Sequence, residues 1–408
     1  VFPSTVQALY SGQLDDLAPS ARDAVRRVSV AGRRFPMAAL GPLGVTQPEV
    51  EVDALRRRTF VTGPEPDLIY GASFVFRHAL LRDAGYASLS RAERSHLHVA
   101  MARWLEDKAS TAEAAVAELV GRHYAAALET LPTVGANVDG LDRTGLAQLA
   151  AVWFERAALS ALRLAAYDAS ALLLQRALEF TPEGALADRA GRLRRLGDAV
   201  RRTGDLDRSM EAFREAAQSA RWIGDSEALA QAAIGYEEAV FHTRRPREPA
   251  GDPSVLLLQD SERVLAGHDS AIRAELQAAL GRALAYAGDA DQGSEHARRS
   301  IEMARRLGDD AVLARALLCY RAGRAGPEHL PERLAEAEEM VEAARRTADR
   351  EMELESRRLW LIDQLEAGDL DGGEGAGGGV EPPAVTTPAT TPRTCPSSMT
   401  RSEAAKPG

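Results

Sequence analysis

The feature that most constrains the fold of this chain is an internal repeat with an offset of 84 residues. Chance rarely aligns so many residue pairs at one offset, so this region is built from copies of one structural unit. The recurring Gly-Asp pairs indicate where one helix ends and the next begins. The matching positions are Leu196-Gly197 and Leu280-Gly281, Gly204-Asp205 and Gly288-Asp289, Ala220-Arg221 and Ala304-Arg305, Gly224-Asp225 and Gly308-Asp309, Leu229-Ala230 and Leu313-Ala314, and Tyr236 and Tyr320.

The repeated unit is predicted to be a pair of helices. A half-period marker lies at 265–269, which gives helix pairs of about forty residues. Degenerate copies precede and follow the main repeat, at 157–182 and 344–371. Because each pair buries one face against its neighbour, and small alanines let helices approach closely, we predict an α-solenoid over residues 151–371.

The composition favours packed helices in a reducing compartment. Hydrophobic residues make up 45% of the 408 positions but aromatics only 5%, which is more typical of helices than of sheets. The formal net charge of −10 argues against a dominant nucleic-acid surface. Two cysteines, Cys319 and Cys395, are too few for a disulfide framework or a zinc cluster. Without a membrane-length apolar run or a signal peptide, we expect a cytoplasmic protein with no membrane partner.

Residues 1–90 are predicted to form a winged-helix-like unit. Two helices are followed by Gly32, a short third helix that begins at Phe35, and a further helix over Gln47–Arg58. The β-prone runs Phe60-Val61 and Phe74–Phe76 then flank a turn rich in glycine and proline, which predicts a hairpin. Winged helices often bind DNA. This one is close to neutral and has no basic stripe, so we expect no direct nucleic-acid contact.

The predicted fold is therefore all-α, apart from the hairpin. The winged-helix-like unit is followed by connecting helices over 91–150 and by the repeats over 151–371. Residues 372–408 are rich in glycine, proline and threonine. Such a segment cannot bury enough apolar surface to fold, so we predict a disordered tail.

His78 is the strongest candidate site residue in the front unit, because it follows a strand and opens a helix. The free backbone N–H groups at a helix start favour an anion, and a histidine there can hydrogen-bond a phosphate. The alternative is a histidine that caps the helix or packs against the strand.

Catalytic and metal-binding motifs are missing from the sequence. No phosphate-binding loop of the G-x-x-x-x-G-K-[ST] type is present, and the only lysines are Lys108 and Lys406. His96 and His98 are two apart on a predicted helix, so they point in different directions and cannot share a metal. We therefore predict a chain that is not an enzyme, with no catalytic residue, no metal site and no cofactor of its own.

Two sets of residues resemble known families. Leu196-Gly197, Phe213 and Ala216 fall at the leucine-glycine, aromatic and alanine positions of tetratricopeptide repeats, and Gly204-Asp205 falls at their inter-helix turn. The stretches over 28–35, 74–86 and 90–106 resemble the junction in bacterial regulatory ATPases of the signal-transduction class known as STAND. That class includes LuxR-type and MalT-like regulators and cyclase-fused ATPases.

The resemblance implies that the chain is the C-terminal regulatory part of a longer ATPase. In that class a nucleotide-binding domain precedes the winged helix, and a winged-helix histidine in a Met-His-Asp motif senses the phosphate of bound ADP. Here the matching residues are Arg77, His78 and Ala79, so the histidine is kept while both neighbours differ. ATP and ADP are then implied for the parent protein, with an upstream nucleotide-binding domain as partner and a protein or small-molecule ligand on the repeats. The alternative is a free-standing repeat adaptor that binds a partner protein or peptide.

Overall fold

The computed structural model describes residues 4–132, 136–245, 251–265 and 267–368, without the side chains of 4–9 and 110–114. The described chain is all-α apart from one small sheet, and its helices stack in pairs along an array, as predicted. The tail predicted to be disordered, 372–408, lies outside the described residues.

The front unit packs four helices around a three-stranded antiparallel sheet of order β1-β3-β2. Val61 lies opposite Phe76 and Phe35 opposite Phe74, so the predicted hairpin is confirmed. The helix expected over Gln47–Arg58 is also present. The elements are α1 (Ser4–Asp15), α2 (Pro19–Val28), β1 (Arg34–Pro36), α3 (Pro48–Arg57), β2 (Val61–Asp67), β3 (Gly71–Phe76) and α4 (Ala79–Ala87).

The start predicted for the short third helix is wrong, because Phe35 lies in strand β1 and a short 3-10 helix follows only at Met37–Ala39. Phe35 precedes Pro36, and the residue before a proline is disfavoured in helical conformation. The extended backbone directs its ring into the core. There it is fully buried, and its centroid lies 6.0 Å from that of Phe74 and 5.3 Å from that of Phe76.

Helix α5 (Arg91–Thr130) folds back on itself. It begins at a capping box, in which Ser90 accepts from the backbone N–H of Glu93 and Glu93 accepts from that of Ser90. The Oγ of Ser95 donates to the carbonyl oxygen of Ala127 at 2.9 Å. In a straight helix these two residues would lie about 48 Å apart. The two halves of α5 must therefore run antiparallel, side by side.

The Gly-Asp turns of the repeat form as the sequence predicts. Glycines in the left-handed region end α8, α9 and α13, and an aspartate then caps the next helix. For example, Gly204 has a φ of 90°, and the Asp205 side chain accepts from the backbone N–H of Arg208. The repeat helices are α6 (Arg143–Arg163), α7 (Tyr167–Glu179), α8 (Leu186–Thr203), α9 (Leu206–Ile223), α10 (Ser226–Thr243), α11 (Pro253–Val264), α12 (Ala271–Tyr286), α13 (Ala290–Leu307), α14 (Asp310–Tyr320), α15 (Leu330–Thr347) and α16 (Arg350–Ala367).

Phe213 is the central packing residue of the first full repeat. It is fully buried on α9, where it meets Gly197 of α8 and Gly235 of α10. A Cβ atom at Gly197 would lie 2.8 Å from the Phe213 ring, so the glycine is needed for the close approach. The largest hydrophobic core of the chain runs from Leu14 to Ala212 and includes the front unit, α5 and the first repeat helices.

Candidate functional site

The inner side of the repeat array encloses a cavity of about 1390 Å³, which we call the groove. Helices α8, α10, α12, α14 and α16 line it, with single residues from α6 and α7. These helices alternate along the chain with the outer ones, so the repeat itself places them on one side. Sites for drug-sized molecules occupy about 300–1,000 Å³. The groove is larger, and its size suits a peptide.

The groove is richer in positive than in negative side chains, although the whole chain is acidic with a formal charge of −10. Such a local excess attracts anionic ligands, because a charged cleft concentrates the field. Seven arginines and five carboxylates line it: Arg201, Arg202, Arg244, Arg245, Arg282, Arg315 and Arg358, and Asp198, Glu238, Asp349, Glu351 and Glu355.

Glu238 of α10 lies between two of these arginines. Its carboxylate oxygens are 3.6 Å from Nη1 of Arg201 and 4.0 Å from Nη1 of Arg315. Burial raises the pKa of Glu238, but the positive charges of Arg201, Arg315 and other nearby groups outweigh it, so the pKa lies below its usual value. Glu238 is therefore ionised at neutral pH.

The contacts with Glu238 leave both arginines with donors to spare. Neither separation is short enough for a hydrogen bond. The Nε of Arg201 is buried and has no hydrogen-bond partner among the described residues. Because both guanidinium groups line the groove and stand beyond hydrogen-bond distance from Glu238, an anion that accepts from Arg201 and Arg315 would be bound favourably.

An aromatic surface lies beside these charges. The guanidinium carbon of Arg282 is 4.5 Å from the centroid of the Phe241 ring, within the range of a cation–π contact. Tyr286 packs edge-on against Phe241 at 5.4 Å and is half exposed to the groove. Arg282 itself is held by the fully buried Glu237, whose Oε2 is 2.5 Å from its Nη2. The groove therefore offers apolar rings next to hydrogen-bond donors.

Arg77 and His78, the residues predicted from the front unit, lie outside the groove. His78 is the exposed N-cap residue of α4, but its side chain makes no capping hydrogen bond. Its ring centroid lies 6.1 Å from that of Tyr10 on α1. Arg77 is also exposed, and its backbone N–H donates to the carbonyl oxygen of Phe60. His78 is therefore the N-cap residue by position but makes no side-chain capping bond, and both phosphate sensing and packing against the strand stay predictions.

The groove residues were missed at the sequence level. Arg201, Glu238 and Arg315 belong to three different helices and carry no local motif. Arginine is also common throughout the chain, so no single arginine stands out. The 84-residue repeat is the sequence feature that could have located the groove, because it determines which helices lie on the inner side of the array.

A pair of histidines, the buried His98 and the half-buried His123, lies at the centre of the folded-back helix α5. The Nδ1 atoms of His98 and His123 are 2.9 Å apart, and Nε2 of His98 is 2.9 Å from the hydroxyl of Tyr86. Burial lowers the pKa of His98 to about 3 and that of His123 to about 4. His96 faces Asp139 at 3.3 Å instead, so His96 and His98 point in different directions, as expected.

We expect the free energy of unfolding to fall when the pH is lowered from 7 to 5. The pKa values of His98 and His123 lie below the value of about 6.5 for a free histidine. The unfolded chain therefore binds more protons in this window, which favours unfolding by up to about 2 kcal/mol per histidine at pH 5. Urea unfolding at pH 7, 6 and 5 would measure how steeply the free energy of unfolding falls as the pH is lowered.

The matched control for this pH effect is the exposed His268. His98→Gln should flatten the dependence of stability on pH, whereas His268→Gln should leave it unchanged. Equal slopes for both variants and the parent chain would show that the histidine pair does not cause the acid sensitivity.

Two further observations concern the described part of the chain. None of its helices is long and apolar enough to cross a membrane. In the same residues, no group of three or more His, Cys, Asp or Glu side chains is arranged to hold a metal ion.

No protein-family model matches the sequence, and no curated protein matches it significantly. Among solved structures, the chain is similar to a Pyrococcus horikoshii protein described as a Signal Transduction ATPase with Numerous Domains (STAND) with a tetratricopeptide repeat sensor. The identity is 11% and the TM-score 0.42, over 92% of this chain and 58% of that one. The chain thus spans a little over half the length of that protein.

Two Rap proteins are also similar in structure. The apo form of RapI matches at 11% identity and a TM-score of 0.41, over 67% of this chain and 98% of that one. A Rap protein complexed with competence and sporulation factor matches at 13% identity and a TM-score of 0.37, over 90% of this chain and 100% of that one. All three TM-scores are below 0.5, so these likenesses carry no functional argument.

Proposed function

We propose that this chain is the non-catalytic regulatory part of a cytoplasmic signalling regulator of the STAND class. Its repeats bind an acidic peptide, or an acidic segment of a partner protein, in the groove. The observation that carries this proposal is the pair of groove arginines, Arg201 and Arg315, whose donors are not used up by Glu238. ATP and ADP are cofactors of the upstream nucleotide-binding domain of the parent, and this chain has none of its own.

Binding would use two kinds of contact. Carboxylates of the peptide accept hydrogen bonds from Arg201 and Arg315, and such charge-assisted bonds are stronger than neutral ones. Apolar side chains of the peptide pack on the rings of Phe241 and Tyr286, which lie in the same groove. The arginines select for charge and the rings add buried apolar area. A neutral or basic peptide would lose the hydrogen bonds to the two arginines and bind more weakly.

The direct test is fluorescence anisotropy with a labelled octapeptide of alternating glutamate and leucine. We expect Arg201→Gln and Arg315→Gln each to weaken binding by about 10-fold or more, because a hydrogen bond to a charged group contributes about 1.5–3 kcal/mol. The matched control is Arg305→Gln, which removes the same charge from an exposed pair with Glu339 outside the groove. The proposal would be contradicted if a peptide with glutamine in place of each glutamate bound as tightly as the acidic one. It would also be contradicted if Arg305→Gln weakened binding as much as the groove variants do.

The front unit contributes a second proposal, that His78 senses the nucleotide phosphate in the parent protein. Its exposed ring lies at the start of α4, where the backbone N–H groups of a helix favour an anion. In a chain that carries the nucleotide-binding domain, His78→Ala should speed the release of a fluorescent ADP analogue about 10-fold, which corresponds to one lost hydrogen bond to a charged group. His268→Ala should leave release unchanged. If His78→Ala lowers only the melting temperature, His78 is a packing residue against Tyr10.

A further inference from the structure

Arg202 makes a contact across the groove that joins distant parts of the array. It lies on α8, and its Nη1 is 2.9 Å from Oε2 of Glu351 at the start of α16. The same Nη1 is 3.3 Å from the hydroxyl of Tyr167, the first residue of α7. The guanidinium carbon also lies 5.3 Å from the centroid of the Tyr167 ring. A carboxylate from the last described helix therefore pairs with an arginine of the first repeats, and Tyr167 holds that arginine from the other side.

The contact with Glu351 is not needed to hold α16 in place. Asp363, near the other end of α16, is fully buried and pairs with Arg321 and Arg333. The Glu351 side chain, by contrast, is 74% exposed. Exposed ion pairs contribute only about 0–1 kcal/mol, so this one adds little to stability.

The position of the contact is informative, because it lies next to the proposed peptide site. Arg202 directly follows Arg201 on α8, and both line the groove together with Tyr167 and Glu351. Arg202, whose guanidinium group is held by Tyr167, thus forms a ready-made site for a carboxylate, and the carboxylate that it now binds belongs to the chain itself. A weak internal contact of this kind is easily exchanged for a ligand that makes several contacts at once.

We propose that Arg202, positioned by Tyr167, is a second carboxylate subsite of the groove, and that Glu351 occupies it as an internal competitor until an acidic peptide displaces it. This inference rests on the proposed function, since it assumes that the groove binds acidic peptides. Binding then releases α16 from α8. Occupancy of the groove is thereby coupled to the contact between the first and last described repeats.

The test compares Glu351→Gln with Glu353→Gln, using the glutamate-leucine octapeptide as the probe. Both variants remove one negative charge from α16, but Glu353 does not line the groove and pairs with Arg357. We expect Glu351→Gln to tighten binding about 2- to 5-fold, which is the range given by the loss of an exposed ion pair. Glu353→Gln should have no such effect. Arg202→Gln should weaken binding, and Glu351→Gln should cause no further change in the Arg202→Gln background.

The outcomes separate this inference from the proposed function. If the parent chain binds the octapeptide but Glu351→Gln binds it no better than Glu353→Gln does, the internal competitor is ruled out and the groove proposal stands. If Glu351→Gln still tightens binding in the Arg202→Gln background, the effect is one of general charge and the inference is also wrong. If neither the parent chain nor any variant binds the octapeptide, both proposals fail.

Discussion

The substitution Gly235→Ala is expected to lower the free energy of unfolding by about 3 kcal/mol. A Cβ atom at this position would lie 2.2 Å from Cε1 and 2.5 Å from Cζ of Phe213. Phe213 is fully buried, so its ring has no free space into which to move. Overpacking of a closed core costs about 1–3 kcal/mol, and this clash is at the severe end of that range. Urea unfolding followed by circular dichroism would measure the loss.

The control for Gly235→Ala is Gly12→Ala. Gly12 lies inside helix α1, and a Cβ atom there would meet nothing within 4 Å. Because alanine is a better helix former than glycine by about 0.5–1 kcal/mol, this substitution should leave the protein as stable or more stable. If both variants unfold alike, the close packing of α8, α9 and α10 around Phe213 is not what limits stability.

The substitution Glu237→Ala is expected to destabilise the protein by about 3–5 kcal/mol, since it leaves the charge of Arg282 buried and without its partner. The side chains of Glu237 and Arg282 are only 0% and 10% exposed, and two atoms of the guanidinium group donate to the carboxylate. Glu339→Ala is the matched control, because its pair with Arg305 is largely exposed and should cost at most about 1 kcal/mol.

A double variant tests the reason for this loss. A buried ion pair can often be replaced by apolar side chains without loss of stability, because its desolvation cost is removed as well. Glu237→Leu combined with Arg282→Met should therefore recover most of the stability lost in Glu237→Ala. If the double variant is as unstable as Glu237→Ala, the loss does not come from an unpaired buried charge, and the pair stabilises the protein in some other way.

The parts of the fold that were predictable from sequence depend on local chemistry. The turn at Gly224-Asp225 can be predicted because glycine suits the left-handed end of a helix and aspartate accepts from the N–H groups of the next one. The resemblance to tetratricopeptide repeats placed Phe213 at an aromatic packing position, and the structure buries it fully. The strand at Phe35 was missed, since a three-residue strand carries too little pattern to compete with helical spacing.

Features that depend on long-range contacts could not be predicted. The reversal within α5 has no clear sequence signal, because residues 108–116 contain neither glycine nor proline and four of the nine are alanine, the best helix former. The contact between Arg202 and Glu351 joins positions 149 residues apart. Neither residue is unusual in its own helix, so only the curvature of the whole array brings them together.

The core that runs from Leu14 to Ala212 has a mechanical consequence. Leu196 and Val200 on α8 belong to the same packed interior as Phe35 in the front unit, and Arg201 and Arg202 lie on that same helix. Closely packed interiors are nearly incompressible and transmit strain rather than absorb it. A displacement of α8 at the groove is therefore expected to shift the packing of the sheet next to His78, because both border one continuous core.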